Sequence, residues 1–340
     1  MRAVRLHAAG DLRVEDVPRP PELAPGWVRV GVEAAGICGS DIHNFRTGQW
    51  ITRAPSIAGH EFAGRILALG AGVEGLAPGQ RVVADSRFWC GECPACRAGR
   101  RHLCTSLGFV GETCDGGFAE QVLLPARLVV TAPEGLDAAV AAMAEPLAVA
   151  LHAVNRLAPP PGRPVLVLGC GPIGGLAALL LARRHDGPLL VADRNAARAA
   201  LVAAVTGARV VTLAGDAIAE AGGGGPVSAI EATGSAGALA VLVEALPPGG
   251  SVALVGIFHS RLDIDPNLLV EKEMALIGCH AFVDELAEAV TLLPTLAADM
   301  ARFVDAEIGL DAVPDAYRRL AAGEGRGLKT IIRIGTGEAA

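Results

Sequence analysis

The sequence predicts an α/β protein of two domains, a β-rich domain joined to a doubly wound parallel sheet of six strands. Three observations predict it. Apolar residues alternate with polar ones through the first 130 residues, short apolar runs alternate with helical patterns from Pro164 onward, and a G-x-G-x-x-G turn lies where the first of those runs meets its helix. A chain of 340 residues exceeds what one ordinary core organises, so two cores are expected. Hydrophobic residues make up 51% and charged residues 19%, which excludes a disordered chain. The most apolar segment, PVLVLGCGPIGGLAALLLARR, is broken by glycines and prolines and reads as strand, turn and helix, not as a membrane span.

The elements follow in order. In WVRVGVEAAGI, Trp27 opens a run in which Val28, Val30 and Val32 alternate with Arg29, Gly31 and Glu33, the mark of a strand with one buried face. Similar runs at AGRILALG and QRVVAD, set off by Gly and Pro, suggest a compact barrel. From Pro164 come PVLVLG and a helix, PLLVAD and the helix AARAALVAAVTGA, then ARVVTL, VSAIEAT and the helix SAGALAVLVEAL, then SVALVG and MALIGC. Six strands with helical crossovers imply a doubly wound sheet. After residue 284, two helical patterns, DELAEAVTLLPTL and DAVPDAYRRLAAG, and a last strand, LKTIIRI, match neither block and are expected to return to the first domain. The expected domains are therefore 1–145 completed by 285–340, and 146–284. Gly222–Gly225 reads as a loop tip.

Four of the eight cysteines, Cys90, Cys93, Cys96 and Cys104, fall within CGECPACRAGRRHLC. Gly91, Pro94 and Gly99 suit a knuckle, and the C-x2-C repeat lets four thiolates converge on one ion, so a structural zinc site is expected. An iron–sulfur cluster or two disulfides are the alternatives. The opening MRAVRLHAAGDLRVED lacks the apolar run of a signal peptide, so a reduced cytoplasmic setting, favouring metal over disulfide, is expected. With four thiols completing a tetrahedron, His102 is left out. The net charge of −7 lacks the footprint of a nucleic-acid binder.

Gly169, Gly171 and Gly174, with Pro172 and Ile173 between the last two, form GCGPIG directly after a strand and directly before a helix. In that context the first glycine serves the turn, the second the approach of a pyrophosphate, and the third the packing of helix on sheet. The helix N-terminus supplies unpaired N–H groups to the phosphates. Asp193 ends the next strand, nineteen residues after Gly174, where a carboxylate accepts ribose hydroxyls and repels a 2′-phosphate. NAD is expected; NADP stays open because Arg194 stands beside Asp193. Cys170 reads as a small apolar filler.

A second constellation lies in the β-rich block: Cys38 in GICGSDIH, His60 and Glu61 in GHEFAG, and Glu145 in MAEPLAVALHAV. One sulfur, one nitrogen and carboxylate oxygen make the ligand mixture of a catalytic zinc with an open position. Beside a dinucleotide site, such a Lewis acid makes alcohol oxidation the natural reaction.

The ordered set GICGSDIH, GHEFAG, CGECPACRAGRRHLC, AEPLAVALHA, GCGPIG and EATG resembles the zinc-containing medium-chain alcohol dehydrogenases, and GHE with AEPLAVALHA is most similar to their sorbitol, L-idonate and L-threonine dehydrogenase branch. The resemblance implies a GroES-like catalytic domain, a Rossmann domain and two zinc ions per chain. It implies Cys38 and His60 as catalytic zinc ligands, and Glu61 and Glu145 as carboxylates that bind the zinc directly or through its water. It further implies Asp41 as the group orienting the ligating histidine, and Ser40 and His43 as a proton relay ending with His43 at the surface. Ala144-Glu145-Pro146 stands where simple alcohol dehydrogenases commonly place a second cysteine, which favours a polyhydroxylated substrate.

The expected activity is NAD-dependent, zinc-dependent oxidation of a secondary alcohol of a polyol or sugar acid, sorbitol-like or L-idonate-like. L-threonine 3-dehydrogenase or a general zinc alcohol dehydrogenase is the alternative. A zinc- and nucleotide-binding interaction protein without turnover is the reading from another class, opposed by the set Cys38, Ser40, His43, His60 and Glu61. The expected partner is a small-molecule alcohol, with no nucleic acid or membrane, and the resemblance implies a homodimer or homotetramer. Trp50 and Phe109 are expected to shape the pocket. His152 reads as a packed residue.

Overall fold

A computed structural model describes residues 1–214, 218, 226–325 and 327–335; the Gly222–Gly225 loop tip lies outside them. The chain divides into two compact units, one of Met1–Glu145, Leu286–Gly325 and Lys329–Ala340, the other of Pro146–Glu285 and Arg326–Leu328.

In the first unit, β1 (Arg2–Ala8) and β2 (Asp11–Asp16) form an antiparallel hairpin, and β4 (Ser56–Ile57) pairs with the other edge of β1. The second sheet is organised by β3 (Trp27–Gly36). One side of β3 pairs along its length with β5 (Glu61–Leu69). The other side is shared: residues 27–31 pair with β9 (Gln121–Pro125), and residues 34–36 with β18 (Lys329–Arg333). Beyond β5 lie β6 (Arg81–Ala84) and β10 (Val129–Thr131), and beyond β18 lies β17 (Val304–Ile308), giving seven strands. The expected barrel is two sheets around one core that join where β1 runs antiparallel to residues 118–120, which lead into β9: Val4 donates to the Phe118 carbonyl at 2.8 Å and Glu120 to that of Arg2 at 3.3 Å. β18, from the C-terminal end of the chain, inserts beside β3.

The predicted alternation sets the core. Val28, Val30 and Val32 are buried, as are Val4 and Leu6 of β1, Ile332 of β18, Phe118 and Tyr317, all in one cluster. Each fully buried Val, Leu, Ile or Phe removes enough apolar surface from water to contribute about 1.5–3 kcal/mol before chain entropy is counted. β7 (Arg87–Phe88) and β8 (Gly108–Phe109) pair antiparallel on either side of the cysteine segment.

The second unit is a six-stranded parallel sheet in the order β13-β12-β11-β14-β15-β16. The strands are β11 (Val165–Leu168), β12 (Leu189–Ala192), β13 (Arg209–Val210), β14 (Ser228–Glu231), β15 (Ser251–Leu254) and β16 (Ala275–Gly278). All six expected strands are present. The central β11 and β14 are buried throughout, as apolar runs covered on both faces must be, while the edges β13 and β16 are largely exposed. Strand order reverses between β11 and β14, and ligands bind outside the carboxyl ends of strands at such a point. Helices here begin where the sequence supplies caps: Asn195 accepts the amides of Ala197 and Arg198, and Ser235 that of Ala238. His152 is buried and meets Glu285 at 2.8 Å, which together with backbone amides holds the Glu285 carboxyl down at about 2 against the pull of burial.

Candidate active site

Cys38 stands at the start of the helix Gly39–Thr47, where its amide donates to Asp41 Oδ2 at 2.8 Å. Asp41 thus closes the first turn and its other oxygen lies 3.5 Å from His60 Nδ1, the place of the expected orienting group. His60 and Glu61 lead into β5, so register fixes their direction. Ligand atoms of Cys38, His60 and Glu61 all lie within 4.8 Å of one another, and His60 and Glu61 are buried. Glu145 stands outside this set of three: it is buried too, but Oε1 accepts the Ser86 hydroxyl at 2.6 Å.

The electrostatics of the cluster call for a cation. Burial pushes the Glu145 carboxyl up to about 7, Glu61 adding to it, and burial also raises Asp41. Burial disfavours charge on His60, but Asp41 and Cys38 outweigh it and hold the imidazole well above its ordinary value. Glu61 Oε1 is buried and accepts no hydrogen bond among the described residues. Sulfur, nitrogen and an orphaned carboxylate oxygen in one buried place fit a divalent metal of the zinc type.

Of the expected relay, Ser40 Oγ lies 3.5 Å from His60 Nε2. His43 differs from expectation. It is buried rather than at the surface, with Nε2 3.0 Å from Gln49 Oε1 and its ring 4.3 Å from that of Trp50. The helix carrying it turns His43 inward one turn after Ser40, and the Trp50 ring packs on it.

The four clustered sulfurs also converge within 4.8 Å of one another. Cys104 Sγ is 3.5 Å and Cys96 Sγ 4.0 Å from Cys90 Sγ, non-bonded separations well beyond the S–S length of about 2.05 Å, and all four thiols are free. Backbone amides point at the sulfurs: Cys93 N to Cys90 Sγ at 3.4 Å, Cys96 N to Cys93 Sγ at 3.5 Å, and Cys90 N and Ser106 N to Cys104 Sγ, each at 3.4 Å. The amides of Cys96 and Thr105 hold the Cys93 thiol down at about 6. The amides favour the thiolate, the form a metal binds, at Cys93 and Cys90, whereas burial pushes the Cys96 thiol up to about 12. His102 is buried and lies outside the four.

In the second unit, Gly169 adopts φ 98°, and a Cβ there would come 2.8 Å from Thr233 Cγ2. Gly171 caps the helix Pro172–Arg184, whose first residue, a proline, lacks the amide that position would leave unbonded. A side chain at Gly174 would run into the Gly169 carbonyl, which is the packing role expected of the third glycine. Ile173 follows Pro172 in the first turn. Asp193 Oδ2 accepts the Cys170 amide at 2.6 Å and Oδ1 the Asn195 amide at 2.7 Å, so the carboxylate is braced against the glycine turn with lone pairs to spare. Arg194 is exposed, and Cys170 is buried.

Residues 24–134 match the alcohol dehydrogenase GroES-like domain and residues 173–295 the zinc-binding dehydrogenase domain. An L-galactonate-5-dehydrogenase of Escherichia coli is 34% identical over 73% of this chain and 74% of its own. The chain belongs to the zinc-dependent alcohol dehydrogenase family. An L-threonine 3-dehydrogenase of Sinorhizobium fredii is 32% identical over 92% of both chains, and a sorbitol dehydrogenase of Bacillus subtilis 27% identical over 98% of this chain and 97% of its own. Among solved structures, a zinc-binding dehydrogenase from Sinorhizobium meliloti bound to NADP superimposes with a TM-score of 0.90 at 32% identity, covering 98% of each chain. The protein is a zinc-dependent alcohol or polyol dehydrogenase that uses a nicotinamide cofactor.

Two further residues of this dehydrogenase escaped the sequence reading. Lys329, the first residue of β18, is buried, donates to the Ile37 carbonyl at 3.0 Å and forms an ion pair with Glu61. Burial works against its charge and Glu61 more than restores it, so Lys329 stays above the ordinary lysine value. Glu231, in EATG, is buried and accepts the amides of Thr233 at 2.7 Å and Gly234 at 3.0 Å, which ties the turn after β14 beside the glycine turn after β11.

Proposed function

We propose that this dehydrogenase oxidises a secondary alcohol of a polyol or sugar acid to the ketone with NAD. The first unit would be the catalytic domain, residues 1–145 and 285–340, and residues 146–284 the cofactor domain. The convergence of Cys38, His60 and Glu61 in one buried place carries the reading. Those three would hold the catalytic zinc, with Glu145 near enough to join through a water, and Cys90, Cys93, Cys96 and Cys104 would hold a second, structural zinc. When bound, zinc supplies Lewis-acid polarisation of the alcohol oxygen, and the nicotinamide supplies the hydride acceptor.

The chain's own residues do the rest. Asp41 orients His60 through Nδ1 and so leaves Nε2 for the metal. Lys329 offsets part of the negative charge that Cys38, Glu61 and Glu145 gather in one buried place. Ser40, whose Oγ lies 3.5 Å from His60 Nε2, would take the proton of the alcohol, and His43 one helical turn on would receive it. Gly169, Gly171 and Gly174 give the pyrophosphate access to backbone amides. The braced Asp193 carboxylate favours ribose hydroxyls, and thus NAD, over a 2′-phosphate. Likeness to a sorbitol and an L-galactonate dehydrogenase supports the substrate class. The Sinorhizobium fredii relative supports L-threonine 3-dehydrogenase as a second reading. Assembly as a homodimer or homotetramer rests on the family likeness.

The deciding experiment follows reduced-cofactor absorbance across polyols, sugar acids and L-threonine with NAD and with NADP. Turnover of polyols or sugar acids with NAD is expected. Activity on L-threonine alone establishes the second reading, and inactivity across the panel overturns both.

A further inference from the structure

The segment after β8 carries a carboxylate that the proposed reaction does not use. Residues 110–117 lie directly against the backbone that leads into His60. Val110 donates to the Ser86 carbonyl at 2.8 Å, Gly116 to that of Ile57 at 2.9 Å and Gly117 to that of Gly59 at 2.9 Å. Gly111 has φ 88°, and a Cβ there would stand 2.9 Å from the Gly59 amide nitrogen, so the loop and the approach to His60 touch backbone to backbone. Glu112 is the next residue. Its amide donates to the Phe109 carbonyl at 3.1 Å, and the Thr52 hydroxyl donates to its carbonyl at 3.1 Å. Both sides of Glu112 are therefore held.

The side chain is half-buried, and among the described residues no hydrogen bond or ion pair satisfies its carboxylate. The charged groups it feels are His60 and Asp41, members of the metal cluster and its support. Burial pushes the carboxyl up to about 7, His60 pulling it down and Asp41 adding to the rise, so under alkaline assay conditions it is an anion. Solvent meets part of this carboxylate, and a substrate bound beside His60 would replace that water as its partner.

We propose that Glu112 sets the charge class of the substrate: it accepts hydroxyl groups of a neutral polyol and repels a carboxylate or phosphate carried beyond the reacting carbon. This rests on the polyol and sugar-acid reading above and narrows it to the neutral member. Hydrogen bonds from substrate hydroxyls to a carboxylate are charge-assisted, whereas a second anion at close range in a half-buried site meets repulsion worth on the order of tenfold in kcat/KM.

The test compares sorbitol with L-idonate, which share a six-carbon chain and differ in charge, using the zinc-loaded enzyme and NAD at alkaline pH. Wild type should prefer sorbitol. Glu112→Gln should raise kcat/KM for L-idonate about tenfold, mainly through KM, while lowering it severalfold for sorbitol, because the amide keeps the shape and removes the charge. Opposite movement on the two substrates is the signature, since a merely structural defect lowers both. Glu112→Ser, which shortens the side chain, should give the same opposite movement and provides a second reading if the amide variant folds poorly. Wild-type preference for L-idonate, or a sorbitol-to-idonate ratio unmoved in both variants, overturns the proposal with the polyol and sugar-acid reading intact. If wild type turns over neither compound, that reading has failed and the proposal falls with it.

Discussion

The candidate catalytic cluster of the first unit and the glycine turn of the second are built in opposite ways. The turn is contiguous: Gly169, Gly171 and Gly174 lie within six positions, and the carboxylate braced against it, Asp193, directly follows the very next strand. The cluster is assembled from a helix start at Cys38, a strand start at Glu61, Glu145 far along the chain, and Lys329 of the returning strand β18. A contiguous site reports itself through spacing. An assembled one depends on register, and its members look ordinary where they stand in the sequence. The cysteine knuckle is the instructive intermediate, contiguous like the turn but folded in the same unit as the cluster.

The largest break in this contrast should come from His60→Ala. Removing one ligand of an assembled site should cost activity on the order of a thousandfold or more, because metal polarisation of the reacting oxygen is worth several kcal/mol. Circular dichroism should remain that of the folded protein, and NADH, bound in the other unit, should still quench or shift fluorescence. Wild-type turnover by this variant would remove the Lewis-acid scheme.

Cys93→Ser should act on stability instead. A closed thiolate site contributes its binding energy to folding, so losing one sulfur should cost a few kcal/mol and lower Tm by roughly 5–10 °C. Mass-spectrometric metal analysis should fall from two ions per chain towards one, while turnover per folded molecule drops far less than for His60→Ala. Fully active wild-type protein with one zinc per chain would show that only one of the two clusters holds metal.

The mildest effect should be a change of preference. Asp193→Ser removes a charge that is braced by the amides of Cys170 and Asn195, leaving exposed Arg194 to meet a 2′-phosphate. The ratio of kcat/KM for NAD to that for NADP should fall on the order of ten- to a hundredfold. A wild-type preference for NADP would mean that Arg194 reads the ribose.

Much of the fold was legible because periodicity is local. Val28, Val30 and Val32 announced a half-buried strand, and the six runs after Pro164 announced the parallel sheet. β17 was missed since VDAEI, on the sheet edge with alternate residues exposed, carries too little apolar signal. His43 was placed at the surface by the family resemblance alone, and the structure instead buries it with the Trp50 ring packed on it. Lys329 in LKTIIRI carries no mark of a site where it stands in the sequence. Only insertion of β18 beside β3 brings it to Glu61, 268 positions earlier in the chain.

By itself, then, the sequence determined which elements form, where the four sulfurs gather and where a dinucleotide turn lies, because each depends on neighbours within about one element's length. Tertiary structure decided that Glu145 bonds Ser86 and lies outside the trio of Cys38, His60 and Glu61, that buried Lys329 pairs with Glu61, and that the loop bearing Glu112 packs against the backbone leading into His60. Those outcomes turn on strand register and burial, which set the distance and dielectric between charges that no spacing in the chain encodes.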